Sequence, residues 1–368
     1  MKRILFYTSI KTRIKDQESL MDALIKQGHQ VYFLNQQPNK YLPEIAKNLR
    51  VIYQTTPLQK SHFNAVRIVK QCWYLMRFIQ QNKIEVVYSH LEPANFIAVL
   101  VQYVVRARII IVRHHLDLAE HIGFHHDWSY RFTYSLSKEI ICVSDAARKY
   151  MIEKEGVRQE KIHVIPLGYD YSVFGMPDDQ QLEALKNKHR GQLVLLTVGR
   201  LDNLKRPAYA VQICSALRKH GVNVVLYLLG EGDRAEIEKF IQELQLEDAV
   251  ICLGYSDNVL DYMAAADWLL HPSVSESSCV VVKEAAWVKL PVIVCQGVGD
   301  FDDYLVHKQN ALLLDKESFI DEAVNAILDY QSDSLTRNQL GKQLYQTVIP
   351  RFDIQSIISH YDIFHSSN

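Results

Sequence analysis

The chain is expected to be an α/β protein built from two Rossmann-like, doubly wound parallel-sheet domains. Three observations predict this: short apolar runs alternate with amphipathic stretches, the same alternation starts again after a polar interval, and 368 residues exceed what one core usually serves.

In the first half, Ile4–Tyr7, Val31–Leu34, Val86–Tyr88, Ile109–Val112, Ile140–Val143 and Ile162–Ile165 are continuous apolar runs, as expected of strands covered on both faces. Between them, Asp16–Gln27 and Val66–Gln80 have helical spacing; in the latter, Ile68, Cys72, Leu75 and Ile79 form one stripe. Met176–Gln192 is polar and marks a boundary. Beyond it, strands are expected at Val194–Val198, Val224–Leu229, Val250–Leu253, Trp268–His271, Val292–Val294 and Ala311–Leu314. Helices are expected at Pro207–His220, Arg234–Leu246, Asn258–Ala265, Val280–Val288, Lys316–Tyr330 and Ser334–Val348, before an amphipathic tail, Ile354–Phe364. The expected domains are residues 1–175 and 176–349, with 350–368 packing back on the first. Such sheets bind ligands at their carboxyl ends, here in a cleft between the two domains.

The net charge of −1 conceals a split, because residues 1–170 hold 24 Lys+Arg against 15 Asp+Glu and residues 171–368 hold 17 against 27. A uniformly basic nucleic-acid coat and an acidic disordered chain are both excluded, and no nucleic-acid partner is expected. The six cysteines show neither a CxxC pair nor zinc spacing, as in reduced core thiols of a cytoplasmic protein. The amino-terminal apolar run stops at Lys11-Thr-Arg-Ile-Lys15, so it reads as a buried first strand and not a signal peptide. No apolar stretch reaches the roughly 20 residues a spanning helix needs.

The strongest local signal is His271-Pro-Ser-Val-Ser-Glu276-Ser-Ser-Cys279-Val-Val-Val-Lys-Glu284. A strand ends at His271, and a helix is expected from about Ser278, with Ser277 or Ser278 as its cap and its amino terminus suited to a phosphate. Glu276 and Glu284 are acceptors that suit sugar hydroxyls; in isolation they would equally read as a capping residue and a solvent-facing residue.

This segment resembles the E-x7-E motif of retaining GT-B glycosyltransferases, specifically family 4. Other stretches resemble that family in the same order: Val143-Ser144, Val164-Ile-Pro-Leu-Gly-Tyr-Asp170, Val198-Gly-Arg-Leu201 with Lys205-Arg-Pro207, Leu228-Leu-Gly-Glu-Gly-Asp233 and Ala264–Ser273. The likeness is clearest over residues 140–315. It implies a GT-B fold and a retaining, metal-independent hexosyltransferase that uses a nucleotide diphosphate sugar, with UDP favoured, and no cofactor. The acceptor would be a glycan or a lipid-linked glycan in cell-surface polysaccharide or glycoconjugate synthesis. The rival readings are a nucleotide-sugar 2-epimerase of the same fold and a non-catalytic binding protein.

The roles follow the same resemblance. Glu284 would hold the ribose, Glu276 the donor sugar, and Arg200 and Lys205 the departing diphosphate, where fixed cations stabilise developing charge. His114, or alternatively His115, would meet the transferred sugar, and His90 is either a cleft residue or a packed one. Gly199, Gly230, Gly232 and Tyr255 would lie by the nucleotide. The pairs His114-His115 and His125-His126 lack partners at metal-ligand spacing, and Asp300-Phe-Asp302 reads as a turn. Two departures stand out. Ser277-Ser278-Cys279 replaces a G-F-G, and the family's amino-terminal Gly-Gly loop is replaced by Ser9-Ile-Lys-Thr-Arg13, whose Lys11 and Arg13 could supply cations instead. Residues 62–83 combine Arg67, Lys70, Arg77 and Lys83 with Phe63, Trp73, Tyr74 and Phe78; this helix suits peripheral contact with anionic lipid at the inner face of the membrane, or a packed helix with a solvated basic face.

Overall fold

The computed structural model describes residues 1–10, 13–37, 42–56, 65–116 and 127–365. The chain divides into two compact units, Met1–Val173 with Phe352–Asn368, and Phe174–Arg351.

The first unit is a seven-stranded parallel sheet with strand order β3-β2-β1-β4-β5-β6-β7. Its strands are β1 (Arg3–Thr8), β2 (Gln30–Asn35), β3 (Ile52–Thr55), β4 (Val86–His90), β5 (Arg108–Arg113), β6 (Glu139–Cys142) and β7 (Ile162–Val164). The helices between them are α1 (Lys15–Lys26), α2 (Leu42–Asn48), α3 (Ala65–Gln81), α4 (Ala94–Val101), α5 (Asp127–Leu136) and α6 (Asp145–Glu153). Strand side chains alternate between two buried clusters: Leu5 and Tyr7 join one, Ile4 and Phe6 the other. Both faces are therefore covered, which is why these strands are apolar throughout. The tail supplies part of one face, with Ile354, Ile357, Ile358, Tyr361 and Phe364 packed in the cluster of Ile4 and Phe6.

The second unit is a six-stranded parallel sheet with order β10-β9-β8-β11-β12-β13. It comprises β8 (Leu193–Val198), β9 (Val224–Leu229), β10 (Val250–Gly254), β11 (Trp268–His271), β12 (Val292–Cys295) and β13 (Leu312–Leu314). Its helices are α7 (Asp179–Lys188), α8 (Pro207–Lys219), α9 (Arg234–Glu243), α10 (Val259–Ala265), α11 (Val280–Trp287), α12 (Phe319–Tyr330) and α13 (Ser334–Phe352). In each sheet the winding reverses beside the first strand, between β1 and β4 and between β8 and β11. The gap at such a reversal is where open parallel sheets receive ligands.

Three features differ from the sequence expectation. The polar interval 176–192 contains α7, capped by Asp178, whose carboxylate accepts from the amide of Gln181 at 2.9 Å. None of its residues is buried, so the periodicity that marks a core helix is missing. The edge strand β3 was not expected; it has no fully buried residue, and its run is only four residues long. α11 begins at Val280, where the expected span Val280–Val288 puts it but two residues after the start near Ser278 expected from the motif, with Cys279 at its cap position and no side-chain cap bond. All six cysteines are free thiols. Among the described residues no helix is long and apolar enough to cross a membrane.

Candidate functional site

In the second unit the site is built on the loops after β8 and β11, the two strands that flank the reversal. The loop after β8 turns on Asp202, whose carboxylate accepts from the amides of Leu204 at 3.1 Å and Lys205 at 3.0 Å and pairs with Arg200 at 3.0 Å. This loop is bound to its neighbour, since Leu204 O accepts from the amide of Val274 at 3.0 Å and from Ser273 Oγ at 3.2 Å. It also lies against the loop after β9. A Cβ on Gly230 would stand 1.8 Å from the carbonyl oxygen of Gly199, and one on Gly232 would stand 2.5 Å from that of Leu201. Gly199, Gly230 and Gly232 thus join two strand ends backbone to backbone.

Glu276 is the focus of the site. Its Oε1 accepts from Lys205 Nζ and lies 2.6 Å from His271 Nε2, with its side chain 9% exposed. His271 is buried, and the Sγ of Cys279 lies 3.4 Å from the same Nε2. Burial alone would lower the His271 pKa. Cys279 and the Glu276 carboxylate outweigh burial and hold it near 9. Burial likewise opposes ionisation of Glu276, but His271 and Lys205 prevail and keep its carboxyl well below the usual carboxylate range. The backbone of Glu276 is held from behind, because a Cβ on Gly299 would stand 2.5 Å from its carbonyl oxygen.

The serines do not cap α11 as expected. Ser278 Oγ donates to Asp300 at 2.9 Å, and the buried Lys283 donates to the same carboxylate at 2.7 Å and to Ser278 Oγ at 3.1 Å. Asp300 thus opens the turn at Phe301–Asp303 and fastens it to α11. Ser277 lies half-buried on the loop, and Glu284 is buried in α11. Tyr255 is exposed, with its hydroxyl donating to Asp257 at 2.8 Å. Lys283 and His271 are site residues that the sequence does not reveal, since a lysine in a helix reads as solvated and His271 reads as a strand end.

Among the described residues, His271, Glu276 and Cys279 are the group whose ligand atoms lie within 4.8 Å of one another, as a metal would require. Lys205 Nζ already sits on the shared carboxylate oxygen, so a metal there would have to displace that cation. A separate groove of about 520 Å³, lined by Asp202, Arg206, Tyr209, Glu236 and Phe240 among others, opens beside the loop and includes neither Glu276 nor Glu284.

In the first unit His114 and His115 follow β5. Arg113 is fully buried, pairs with Glu155 at 2.7 Å, and donates to the carbonyls of His115 at 2.6 Å and Leu116 at 2.9 Å, which fixes the course of this loop. His114 Nε2 lies 2.9 Å from His90 Nδ1, and burial pushes the His114 pKa down to about 4. His90 is therefore packed inside the unit, stacked on Phe6. Arg13 pairs with Glu18 at 2.8 Å, while Lys11 and His125-His126 lie outside the described residues.

Two parallel-sheet units, each with polar side chains gathered beside a strand reversal, define a two-domain α/β protein with candidate sites where open parallel sheets take ligands. A family model described as Glycosyltransferase Family 4 matches residues 18–173, and one described as Glycosyl transferases group 1 matches residues 178–347. The chain belongs to the GT-B glycosyltransferases of family 4 and group 1. It is similar to N-acetyl-alpha-D-glucosaminyl L-malate synthase of Bacillus anthracis, 23% identical over 92% of this chain and 89% of that protein. It is also similar to the UDP-Gal:alpha-D-GlcNAc-diphosphoundecaprenol alpha-1,3-galactosyltransferase of Escherichia coli, 21% identical over 80% of this chain and 78% of that protein. The structure of HepE of Anabaena in complex with UDP-glucose matches with a TM-score of 0.84 at 18% identity, covering 100% of both chains.

The shared carboxylate makes stability depend on pH. The folded-state pKa of His271, about 9, lies above the ordinary histidine value of 6.5, so its contribution is complete below about 6.5 and is lost as pH rises through 9. The denaturation midpoint of the native protein should therefore fall between pH 7 and 9.5, and His271→Asn should flatten that fall. Parallel curves for the two proteins would mean that His271 carries no linked proton.

Proposed function

We propose that this chain transfers a hexose from a UDP-sugar, with retention at the anomeric carbon and without a metal, to a glycan or lipid-linked glycan acceptor. The observation that carries the reading is the Lys205–Glu276–His271 contact at the strand reversal, which puts a cation and a sugar-hydroxyl acceptor side by side. Lys205 and Arg200 would meet the diphosphate, Glu276 a donor-sugar hydroxyl, and Glu284 the ribose. His114, with His115 as the alternative, would contact the transferred sugar. Ser277, Ser278 and Cys279 shape the donor pocket, and Tyr255 and Gly199 lie toward the nucleotide.

The chemistry follows from the charges. The bond from the anomeric carbon to the phosphate oxygen breaks, negative charge grows on the diphosphate, and Lys205 and Arg200 stabilise it. The acceptor oxygen bonds to the same face of that carbon and its proton passes to the leaving phosphate. Lys205 then serves where a metal would otherwise act, so the metal-free reading rests on its place at Glu276. Support for UDP comes from the Anabaena relative, solved with UDP-glucose, and support for a lipid-linked acceptor from the Escherichia coli relative, whose name specifies one.

Turnover of a UDP-sugar panel should fall about 100-fold or more in Lys205→Ala and Glu276→Ala, the scale on which a transition-state contact acts. Excess chelator should leave the native rate unchanged, and product NMR should show the anomeric configuration of the donor. Near-normal turnover in both variants would overturn the assignment, and abolition by chelator would overturn its metal-free part.

The membrane proposal rests on α3. Val66, Val69 and Trp73 are exposed along one stripe with Lys70 and Arg77, and the Arg77 guanidinium lies 5.3 Å from the Trp73 ring centroid. Phe78 turns inward, and residues 62–64, Phe63 among them, lie outside the described residues. An amphipathic stripe of aromatic, aliphatic and basic groups suits an anionic bilayer surface. Flotation with phosphatidylglycerol vesicles should retain the native protein, and a Trp73→Ala, Lys70→Glu double variant should lose that retention. Equal recovery with neutral and anionic vesicles would favour a merely solvated face.

A further inference from the structure

His90 lies at the end of β4, beside the strand reversal of the first sheet, and is 3% exposed. Its ring stacks on Phe6 at 5.5 Å with an interplanar angle of 9°, so its orientation is set by packing. Its Nδ1 meets His114 Nε2 at 2.9 Å. Its Nε2 is buried and has no protein partner, and the same is true of Gln17 Nε2 and Oε1 at the start of α1. Gln17 and His90, which carry these orphans, line one cavity together with His114, and Asp16, Ile354 and Tyr361 wall it as well. Its volume of about 10 Å³ is close to that needed by one water.

Three buried polar atoms without partners, on two residues that line one such space, call for a ligand, since orphaned groups in a protein interior are costly. Burial lowers the pKa of both histidines, in His90 with help from its neighbour His114, so the pair is neutral at ordinary pH. A neutral pair shares a single proton across the bond, and whichever ring nitrogen holds it decides the tautomer of His114. We propose that His90 is a positioning residue for His114: with one buried water held by Gln17, it locks the ring angle and tautomer that His114 presents. This rests on the role given to His114 in transfer.

The test uses His90→Phe, which keeps the stacking volume, and His90→Asn, which keeps a hydrogen-bonding atom near the place of Nδ1. In the native protein labelled with 15N-histidine, the ring nitrogens of His114, assigned by their loss in His114→Asn, should show one tautomer. In His90→Phe the two signals should converge as tautomers exchange, with kcat about 10-fold to 100-fold lower and donor KM unchanged, the scale seen when a group orienting a functional histidine is removed. His90→Asn should recover part of both, and Gln17→Met should give the same convergence more weakly. A His90→Phe protein that melts normally and keeps both the His114 tautomer and kcat would overturn the proposal. The tautomer needs no turnover to be read. Normal turnover in His114→Ala would therefore remove the role of His114 in transfer, while the coupling to His90 would still be judged by the spectra.

Discussion

One oxygen of Glu276, shared between the ammonium of Lys205 and the imidazole of His271, is the contact on which the second unit's site is organised. Each group comes from a different part of the fold: Lys205 from the loop after β8, His271 from the last residue of β11, and Glu276 from the turn before α11. The shared oxygen closes the loops around the strand reversal. Other constraints serve the same end. Ser273 and Val274 bind the turn to Leu204, Gly299 lets a second loop reach the Glu276 backbone, and the Lys283–Asp300 pair fastens that loop to α11. A carboxylate isolated at this depth would tend to take up a proton; two cationic neighbours keep it ionised.

The distribution of charge has a corresponding meaning. Residues 171–368 carry 27 acidic against 17 basic side chains, yet Arg200 and Lys205 both lie in the loop after β8. The net charge of this half therefore does not describe the local field at that strand end. Arg200 is paired with Asp202 and Lys205 with Glu276, so in the proposed reading an arriving diphosphate would compete with carboxylates for both cations. That competition would couple binding of the phosphates to release of Glu276 toward a sugar hydroxyl.

Strands buried on both faces were legible in the sequence because nothing polar interrupts them, and so was the order of the loops that carry Arg200, Lys205 and Glu276. What was not legible depended on partners distant in the sequence. Ser278 has the look of a helix cap, but its hydroxyl is taken by Asp300, a residue 22 positions away. Lys283 has the look of a solvated helix residue, yet the same aspartate draws it fully inside. α7 and β3 escaped notice for the opposite reason: neither contains a fully buried residue, so neither leaves a periodic apolar trace. His90 allowed two readings, and the stacking on Phe6 together with the bond to His114 decides for a packed residue with a polar duty.

The central claim is that Lys205 answers to the diphosphate and Glu276 to the sugar. Calorimetric titration of UDP and of the preferred UDP-sugar into the native protein, Lys205→Met and Glu276→Gln tests it most directly. The account predicts that Lys205→Met weakens both ligands alike, whereas Glu276→Gln, which frees Lys205 from its carboxylate, binds UDP at least as tightly as the native protein and loses the increment due to the sugar. Native affinity for both ligands in both variants would contradict it.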